Sequence, residues 1–418
     1  MIAETGATWE SAVQPDSEDT LTPQQRRNRF DVVVLCSSKQ HKVRLSAKRL
    51  LATARCPKCK TQVDPTRLRR LSALVAALFQ ASGKTRLERS TVWGVWGYLV
   101  LTFLAWVGLW KLGDAWGPMT ILLFGPRWIL LLPIVGLALA GLRSRPRLLL
   151  PLFIAGIVAV VPVMWFSLGW RSWFDGTENG TPLRIATYNV AGGTNLDTSL
   201  PWMIEETRAD IIAFQECGSA LVSVVRELPD IAWFTSTQDQ LCLVSRYPIV
   251  DTRQLDRENF RVAGGSGIVI EYTIDLGDRQ LYLTNLHLET PREGLAPVRE
   301  GNVSEGFSRL HSKSLIRDIE SRQARRWVSE GADAIVVLGD FNLPVESVIY
   351  RRHWGDMRNA FSYGGFGFGF TRYAGWIRAR IDHILVDEGW QVVRAFVGPD
   401  FGSDHRPMIA DLILTPEH

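Results

Sequence analysis

The sequence predicts an all-α membrane segment followed by a large α/β domain. Two stretches, residues 90–110 and 148–170, run for 21 and 23 residues without a charged side chain, and about 20 apolar residues are needed to cross the hydrocarbon core of a bilayer. From residue 183 onward, runs such as "LRIATYNV" and "DIIAFQE" have the pattern of strands buried on both faces. The runs "GSGIVIEYTIDL" and "RQLYLTNLHLE" alternate and flank Gly277-Asp278, which indicates a hairpin.

The overall composition separates the membrane segment from the rest of the chain. Apolar residues make up 46% of the 418 residues, and the excess, including much of the Trp content, is concentrated between residues 90 and 170. The formal net charge is only +4, which excludes an electrostatic nucleic-acid clamp as the role of the whole chain. The five cysteines do not form a disulfide framework.

The N-terminal part is divided into three segments. Residues 1–30 are rich in Glu, Asp, Thr, Gln and Pro, a composition that predicts disorder. Residues 31–64 carry three cysteines and form a short module of their own. Residues 65–89 carry a cluster of Arg and Lys and are predicted to be a basic juxtamembrane segment.

The cysteine-bearing module resembles a short zinc ribbon, in which two Cys-x-x-Cys pairs supply four thiolates. The second pair, Cys56 and Cys59, is complete, whereas the first has Cys36 and a lysine in the fourth position. An ammonium group cannot ligate zinc. Either His41 replaces the missing thiolate and the module binds Zn²⁺, or the site is degenerate and the module is a metal-free hairpin.

The number of membrane spans decides on which side of the membrane the α/β domain lies. Residues 118–142 form a third apolar stretch, with Arg127 near one end and able to snorkel to the headgroups. One possibility is three spans, 90–110, 118–142 and 148–170, within a membrane region of residues 90–171. Three spans put the basic segment 65–89 and the loop with Arg143, Arg145 and Arg147 on the cytoplasmic side. The N-terminus is then cytoplasmic, and the linker 172–182 and the domain 183–418 are extracytoplasmic. Two spans would leave that domain in the cytoplasm.

Most apolar runs of the α/β domain end in side chains capable of chemistry. These side chains are Asn189, Glu216, His287, Asp340 with Asn342, Asp382, and Asp404 with His405. Residues i and i+2 of a strand face the same way, so Asp340 and Asn342 are expected to project together while Phe341 turns into the core. Oxygen donors without thiols are the ligand set of Mg²⁺ or Mn²⁺. A histidine beside an aspartate can act as a base or donate to a phosphoryl oxygen.

Six motifs in a fixed order carry a family resemblance. They are "TYNV", "FQE", "NLHL", "GDFN", "RIDHIL" and "SDHRP", and with them residues 183–414 resemble the endonuclease/exonuclease/phosphatase (DNase I-like) superfamily. The resemblance implies a four-layer α/β sandwich, with two sheets face to face, helices outside, and the site where the strand ends converge. It also implies a divalent metal ion and hydrolysis of a phosphate ester.

The resemblance also implies a role for each motif residue. Glu216 is the principal metal ligand, with Asn189 beside it and Asp404 near the metal. Asp340 orients or deprotonates the attacking water, and Asn342 contacts the scissile phosphate. His405, held by Asp382, contacts the phosphate or transfers a proton, and His287 donates to a phosphoryl oxygen or to the leaving group. The identity of the general base is left open by the motifs.

Three further features allow more than one interpretation. The stretch "YGGFGFGFTRY" (363–373) is interpreted as a loop beside the substrate, the alternative being a turn region whose Phe residues pack inward. The basic segment 289–314 either recognises an acidic substrate or is a solvated loop. Cys217 and Cys242 are interpreted as buried small apolar residues, although an exported domain would allow them to pair.

These observations predict a membrane-anchored, Mg²⁺- or Mn²⁺-dependent phosphoesterase that hydrolyses a phosphodiester or phosphomonoester with metal-activated water. A phospholipid, a nucleic acid and a small phosphodiester are the candidate substrates, and proximity to the bilayer favours the first. Two alternatives remain: an extracellular or periplasmic nuclease of the same family, and a non-catalytic membrane binding protein that retains the fold.

Overall fold

The chain is divided into two units, Met1–Arg89 and Ser90–His418. A computed structural model describes residues 31–35, 42–46, 85–173, 179–192, 196–218, 233–328, 334–375 and 377–416. In the first unit, β1 (Asp31–Leu35) and β2 (Lys42–Ser46) form an antiparallel hairpin. The four candidate zinc ligands, Cys36, His41, Cys56 and Cys59, lie outside the described residues, so the Zn²⁺ site stays a prediction.

The second unit begins at Ser90, within the first of the apolar helices. They are α1 (Arg86–Leu112), α2 (Gly117–Phe124), α3 (Leu132–Ser144) and α4 (Leu149–Val158). Short 3-10 turns precede α3 and α4, and one π turn follows α4. Within the part of the chain that the structure describes, three continuous helical stretches are long and apolar enough to cross a membrane by length and composition: Arg86–Leu112, Arg127–Ser144 and Pro146–Val163.

The second predicted span differs from the structure in two ways. The helix predicted over residues 118–142 is interrupted at Gly125-Pro126, where Gly125 is extended because proline disfavours helical geometry in the residue before it. Arg127 does not snorkel. Its guanidinium is buried, forms an ion pair with Glu346 of the α/β domain and donates from Nη1 to the carbonyl oxygen of Val163 at 2.8 Å. A partner from the distant α/β domain, which the sequence could not reveal, satisfies this charge.

The two ends of the helical region have different neighbours. Val92 and Val95, near the start of α1, pack with Leu148 and Leu152. The basic residues Arg143, Arg145 and Arg147, near the end of α3 and the start of α4, therefore lie at the same end of the helical region as the start of α1. Leu109, near the other end of α1, belongs to a cluster with Ala379 and Ile381 of the α/β domain. The α/β domain thus contacts the end opposite to the basic residues.

The α/β domain contains two six-stranded mixed sheets. In chain order the strands are β3 (Thr181–Asn189), β4 (Ile211–Gln215), β5 (Phe234–Gln238), β6 (Leu241–Ser245), β7 (Ile249–Gln254), β8 (Ile268–Asp275), β9 (Gln280–His287), β10 (Ile335–Asp340), β11 (Arg358–Asn359), β12 (Arg372–Ala374), β13 (Ile377–Ala379), β14 (Asp382–Val386), β15 (Trp390–Val397) and β16 (Met408–Leu414). The strand orders are β15-β16-β3-β4-β6-β5 and β11-β14-β10-β9-β8-β7, and β12 and β13 form a separate two-stranded sheet. The predicted hairpin at Gly277-Asp278 joins β8 to β9.

Helices flank the two sheets. They are α5 (Leu196–Thr207), α6 (Glu258–Val262), α7 (Arg292–Arg299), α8 (Val303–Trp327), α9 (Val348–Trp354) and α10 (Ala360–Gly364). Of these, α10 packs with Ala360 and Phe361 into the central core. Leu200 and Met203 of α5 pack on the first sheet. Ala324 of α8 and Trp354 of α9 pack on the second. Apolar residues of both sheets form the central core, with Ile185 on one side and Val336 on the other. The predicted α/β fold with two facing sheets and outer helices is confirmed.

Two local interpretations were wrong. The segment 289–314 is not a solvated loop, because α7 and the start of α8 occupy most of it. Cys217 and Cys242 are not free thiols but form a disulfide, with 6.2 Å between their Cα atoms. Cys217 follows β4 and Cys242 lies in β6, which pairs with β4, so sheet pairing brings the two residues together across 25 positions of sequence.

Candidate active site

The polar residues that follow the apolar strands meet at one edge of the two facing sheets. Parallel pairing of β3 with β4 places Asn189 beside Gln215, and parallel pairing of β9 with β10 places His287 beside Asp340. The antiparallel strand β14 begins with Asp382 opposite Asp340. The carboxyl ends of four strands and the start of a fifth therefore supply one site.

Asn189 connects the two sheets. Its Nδ2 donates to Glu216 Oε1 at 3.0 Å and to Asp340 Oδ2 at 3.1 Å, while its Oδ1 accepts from the Ala191 amide at 2.9 Å. Asn189 is buried, so these bonds are shielded from water. In this arrangement Asn189 holds two carboxylates in place and turns its amide hydrogens, not its oxygen, toward them. Its predicted role as a metal ligand remains a prediction.

The loop after β10 has the geometry expected from the sequence. Gly339 has a φ of 134°, and a Cβ at that position would lie 1.9 Å from the Leu286 carbonyl oxygen, so only glycine fits. Phe341 is fully buried against Trp354. Asn342 has a φ of 49°, and its backbone N–H donates to Asp340 Oδ1 at 2.9 Å.

Glu216 and Asn342 both adopt a left-handed backbone conformation. Their φ angles are 54° and 49°, a region that costs free energy for residues other than glycine and is frequent at functional sites. The Asn342 side chain is fixed by a hydrogen bond from Nδ2 to the Leu288 carbonyl oxygen at 2.9 Å. Both side chains line the same cavity.

His405 and Asp382 form a buried pair. The imidazole Nδ1 lies 2.9 and 3.1 Å from the two Asp382 oxygens, and Nε2 lies 3.7 Å from Asp340 Oδ2. Burial opposes protonation of His405, but the negative charges of Asp382 and Asp340 outweigh it and raise its pKa. The pair therefore keeps Nδ1 protonated toward Asp382 and leaves Nε2 facing the cavity.

Asp340 lies between two imidazoles. Its Oδ2 is 3.7 Å from His405 Nε2 and 3.6 Å from His287 Nε2, and His287 Nε2 is also 3.9 Å from Glu216 Oε1. Burial, followed by the charge of Asp382, raises the pKa of Asp340, and the two imidazoles act in the opposite direction. A carboxylate in this environment holds protons more readily than an exposed one, which suits a group that accepts a proton during a reaction.

Asp404 lies at the rim of this group of residues. Its side chain is 40% exposed, forms an ion pair with Arg372 and lies 3.8 Å from Arg292 Nη2. Its Oδ1 is 4.0 Å from His405 Nε2. Arg372 and Arg292 both line the cavity but were not singled out as site residues from the sequence. The only sequence signals for them are membership of "FTRY" and of the basic segment after β9.

A buried polar bridge behind the site was also missed. Gln215 Nε2 donates to Asn285 Oδ1 at 2.7 Å, and Asn285 Nδ2 donates to the Phe214 carbonyl oxygen at 3.0 Å. These bonds join the two sheets directly below Glu216 and His287. Asn285 precedes His287 by two positions, and period-two spacing in a strand is the signal that could have identified it.

The Gly-rich stretch contacts the candidate site at its C-terminal end, where Thr371 Oγ1 accepts from the Asp382 backbone N–H at 3.2 Å and Arg372 pairs with Asp404. Phe368 and Phe370 stack on each other with centroids 5.2 Å apart. They line a second cavity together with Trp128 and Met164 from the helical region. The interpretation of this stretch as a loop beside the substrate applies to Arg372 but not to its Phe residues.

The site opens into a cavity of about 560 Å³. Five of the predicted residues line it: Glu216, His287, Asp340, Asn342 and His405. Asn189 and Asp382 are buried directly behind them. All the sequence-predicted residues of the α/β domain are thus gathered in one region, with Asp404 at its rim.

The donor chemistry fits a hard divalent cation. Asp340, Asp382 and His405 offer ligand atoms within 4.8 Å of one another, but both Asp382 oxygens face His405 Nδ1. Glu216 and Asp340 are the carboxylates that line the cavity, and among the described lining residues none is a cysteine. The charge of Asp382 contributes to the raised pKa of Asp340, and a bound cation relieves repulsion of this kind. Oxygen donors of this kind suit Mg²⁺ or Mn²⁺.

Comparison with solved structures finds proteins of similar architecture. The chain is 16% identical to a humanized D. rerio TDP2 carrying 14 mutations, with a TM-score of 0.43 over 55% of this chain and 98% of that one. It is 14% identical to D. rerio TDP2 complexed with a single-strand DNA product, with a TM-score of 0.43 over 56% of this chain and 99% of that one. It is 15% identical to an endonuclease/exonuclease/phosphatase family protein from Bacteroides thetaiotaomicron, with a TM-score of 0.38 over 58% of this chain and 98% of that one.

Comparison with family models gives a direct assignment. No curated protein matches the chain. The model described as the Endonuclease/Exonuclease/phosphatase family matches residues 186–405, a little over half of the chain. The match runs from β3 to His405 and so spans the strands that supply the site. This protein therefore belongs to the endonuclease/exonuclease/phosphatase family.

Proposed function

We propose that this protein is a membrane-anchored, divalent-metal-dependent phosphoesterase whose catalytic domain lies on the extracytoplasmic side. The observation that carries the proposal is the convergence of Glu216, Asp340 and His287 with the His405–Asp382 pair at one end of a cavity. Oxygen donors for a metal ion, the His287 imidazole and the buried Asp–His pair are groups that can carry out hydrolysis of a phosphate ester.

Glu216 is the residue proposed to hold Mg²⁺ or Mn²⁺, with Asn189, Asp404 and the Asp340 carboxylate beside it. When bound, such an ion neutralises phosphate oxygens and lowers the pKa of a coordinated water molecule. Asn189 fixes the distance between the two carboxylates through its two hydrogen bonds. The left-handed backbone at Glu216 directs its side chain into the cavity.

The remaining residues are proposed to position the phosphate and move protons. Asp340 accepts the proton of the attacking water, whose oxygen forms a bond to phosphorus on the side opposite to the leaving oxygen. His405, held by Asp382 through Nδ1, donates from Nε2 to a phosphoryl oxygen. His287 donates a proton to the leaving oxygen as its bond to phosphorus breaks, and Asn342 contacts the phosphate. If His405 instead of Asp340 accepts the proton of the attacking water, the same bonds form and break and the same number of protons is transferred.

The membrane location is supported by the arrangement of the helices. The basic residues are at one end of the helical region, and the α/β domain contacts the other end. Positive charge marks the cytoplasmic end of a membrane segment, so the α/β domain is on the opposite side. The Cys217–Cys242 disulfide supports the same orientation, because disulfides persist in oxidising compartments.

The orientation predicts the behaviour of a C-terminal reporter. An alkaline phosphatase that folds only after export, fused after His418, is expected to be active, and a reporter that fluoresces only in the cytoplasm is expected to be dark. Fusion after residue 89 should give the reverse pattern and serves as the matched control. Activity of the C-terminal fusion only in the cytoplasmic format would contradict three spans with an exported domain.

Metal dependence predicts a second result. The full-length protein in a neutral detergent is expected to hydrolyse bis-p-nitrophenyl phosphate, to lose activity in EDTA and to regain it with Mg²⁺ or Mn²⁺. Glu216→Gln should lower kcat/KM by roughly 100-fold or more and raise the metal concentration for half-maximal activity. Glu206→Gln on the exposed side of α5 is the control and should retain wild-type values.

The same assay separates the alternatives. Absence of hydrolysis with either ion, in a protein that keeps a cooperative thermal transition, would favour a non-catalytic membrane binding protein. Faster turnover of phosphodiester bonds in DNA or RNA than of small diesters would favour the nuclease. Equal metal requirements of Glu216→Gln and wild type would remove Glu216 from the ligand set.

A further inference from the structure

The cavity beside the catalytic groups has an extended apolar wall. Ile121 and Phe124 of α2, Leu295 of α7 and Ile377 with Ile381 near β14 line it. The polar catalytic side chains occupy only one part of the lining. Sites for small molecules combine apolar walls with a few polar groups that fix orientation. The apolar wall is therefore placed to contact a part of the substrate other than the phosphate.

The membrane region supplies part of this wall, and it is fixed to the α/β domain. Asp114, between α1 and α2, accepts hydrogen bonds through Oδ2 from the Ser347 hydroxyl at 2.6 Å and from the Val348 amide at 2.7 Å. These bonds fasten it to the start of α9. An added Cβ on Gly117 would lie 2.5 Å from the Phe307 ring of α8, so α2 and α8 approach closely.

Phe124 is also held by contacts with the α/β domain. The guanidinium of Arg317, which is fully buried in α8, lies 5.5 Å from the centre of the Phe124 ring, within the range of a cation–π interaction. Leu123 and Phe124 are buried in a cluster with Ile381. The wall is therefore pre-formed, which limits the ordering cost of binding an apolar group.

The level of the wall relative to the bilayer follows from the aromatic residues. Trp110 and Trp116, at the end of α1 and just before α2, are 44% and 51% exposed, and Trp is enriched where a membrane helix meets the interface. Earlier on α1, Phe103 and Leu104 are exposed, at 49% and 59%, as expected for side chains that face lipid. With α1 as a membrane span, α2 lies at the membrane surface, and so does the cavity.

We infer that the apolar wall binds a hydrocarbon group of the substrate, so that the substrate is an amphiphilic phosphate ester. This inference rests on the proposed phosphoesterase activity. The hydrocarbon group lies against Ile121, Phe124 and Leu295, and the phosphate lies between His287 and His405. Water attacks phosphorus as proposed above, and the products are a phosphate monoester or inorganic phosphate and an alcohol.

The charge distribution agrees with an amphiphile. Arg292 and Arg299 of α7 line the cavity beside the apolar residues, where they can attract an anionic headgroup. A nucleic acid carries phosphates on both sides of the scissile bond and is bound mainly through basic contacts to them. Arg292 and Arg299 can bind a flanking phosphate as well as an anionic headgroup, so the distinction between a nucleic acid and an amphiphile rests on the apolar wall, which offers no partner for a phosphate.

Two soluble substrates test the inference with the full-length protein. Methyl p-nitrophenyl phosphate and hexyl p-nitrophenyl phosphate share the same leaving group, and both are used below the concentration at which the hexyl ester aggregates. In wild type the hexyl ester is expected to have a kcat/KM roughly tenfold higher than the methyl ester, since a few methylene groups in an apolar pocket give discrimination of at least this size.

The variants Leu295→Ser and Ile121→Ser are expected to reduce the hexyl-to-methyl ratio to about threefold or less. Leu315→Ser removes an exposed leucine of α8 that is 54% exposed and outside the cavity, and it should keep the wild-type ratio. Because all variants are measured at the same detergent concentration, partition of the hexyl ester into micelles cancels in the comparison. Leu295→Met, which keeps an apolar side chain of similar volume, should also keep the ratio.

The possible outcomes separate this inference from the proposed function. Equal kcat/KM values for the two esters in wild type would overturn the hydrocarbon subsite and leave the phosphoesterase intact. A high ratio unchanged in both serine variants would also overturn it, because the preference would then come from another surface. Failure of wild type to hydrolyse either ester with Mg²⁺ or Mn²⁺ would contradict the proposed function itself. If one serine variant does not fold, the other decides.

Discussion

Replacement of His405 by alanine is expected to lower kcat/KM for bis-p-nitrophenyl phosphate by about 1,000-fold, within the range that general acid–base groups contribute. The imidazole is buried, held by Asp382 at 2.9 Å and directed through Nε2 toward the cavity. No other described donor occupies the same position, and the alanine variant leaves Asp382 and Asp340 without the imidazole that lies between them. The measurement is the initial rate with saturating Mg²⁺ in the full-length protein.

The control for this variant is His311→Ala, which removes an exposed histidine of α8 and should keep the wild-type rate. Asp382→Asn keeps the His405 side chain but removes the charge that favours its protonated form. We expect a loss of kcat/KM intermediate between wild type and His405→Ala. As the pH is raised, the rate should begin to decline at a lower pH than in wild type, because the His405 pKa is no longer raised by that carboxylate. A His405→Ala rate within threefold of wild type would show that this imidazole takes no part in the reaction.

Replacement of Glu346 by glutamine is expected to lower the free energy of unfolding by about 3 kcal/mol or more, the usual result of breaking a buried ion pair from one side. Glu346 and Arg127 are both about 5% exposed and paired. The substitution leaves the Arg127 charge with the Val163 carbonyl oxygen but without a counter-charge. Burial already lowers the pKa of nearby Arg380 to about 10, and the Glu346 charge opposes that shift. Thermal unfolding of the detergent-solubilised protein is the measurement.

The double variant Arg127→Met, Glu346→Met tests whether the unpaired charge of Arg127 causes the loss of stability in Glu346→Gln. It removes both charges and keeps apolar volume, so its stability is expected to be closer to wild type than that of Glu346→Gln. Glu305→Gln in the exposed ion pair with Arg309 should change the midpoint very little, because exposed pairs contribute little. Equal midpoints for Glu346→Gln and wild type would mean that Arg127 has access to water.

The residues of the candidate site could be predicted because they lie at strand ends with local signals. Asp340 and Asn342 follow a fully apolar strand, and the glycine before them has the backbone conformation that only glycine adopts without strain. The predicted burial of Phe341 is confirmed. It could be predicted because the alternation of side chains along a strand is a short-range property. Gln215 and Asn285 were missed, although each is adjacent to or two positions from a predicted residue.

Other features depend on contacts between segments far apart in the chain. Arg127 was expected to reach lipid headgroups, but Glu346, 219 positions away, pairs with it. The helix predicted through residues 118–142 is interrupted so that α2 can pack on α8 and line the cavity. The ion pair of Asp404 with Arg372 and the disulfide between Cys217 and Cys242 likewise depend on strand pairing. No periodicity or motif specifies such pairs.

The sequence by itself determined the division into apolar helices and an α/β domain, the strand ends that carry chemistry and the family to which they belong. Each of these rests on local hydropathy, on period-two alternation or on short motifs. Only the tertiary structure decided which carboxylates share a hydrogen-bonding partner, how the apolar helices line the cavity of the candidate site and which charges are buried together. Those properties depend on packing between distant segments, and packing is specified by the complete set of contacts rather than by any one stretch of sequence.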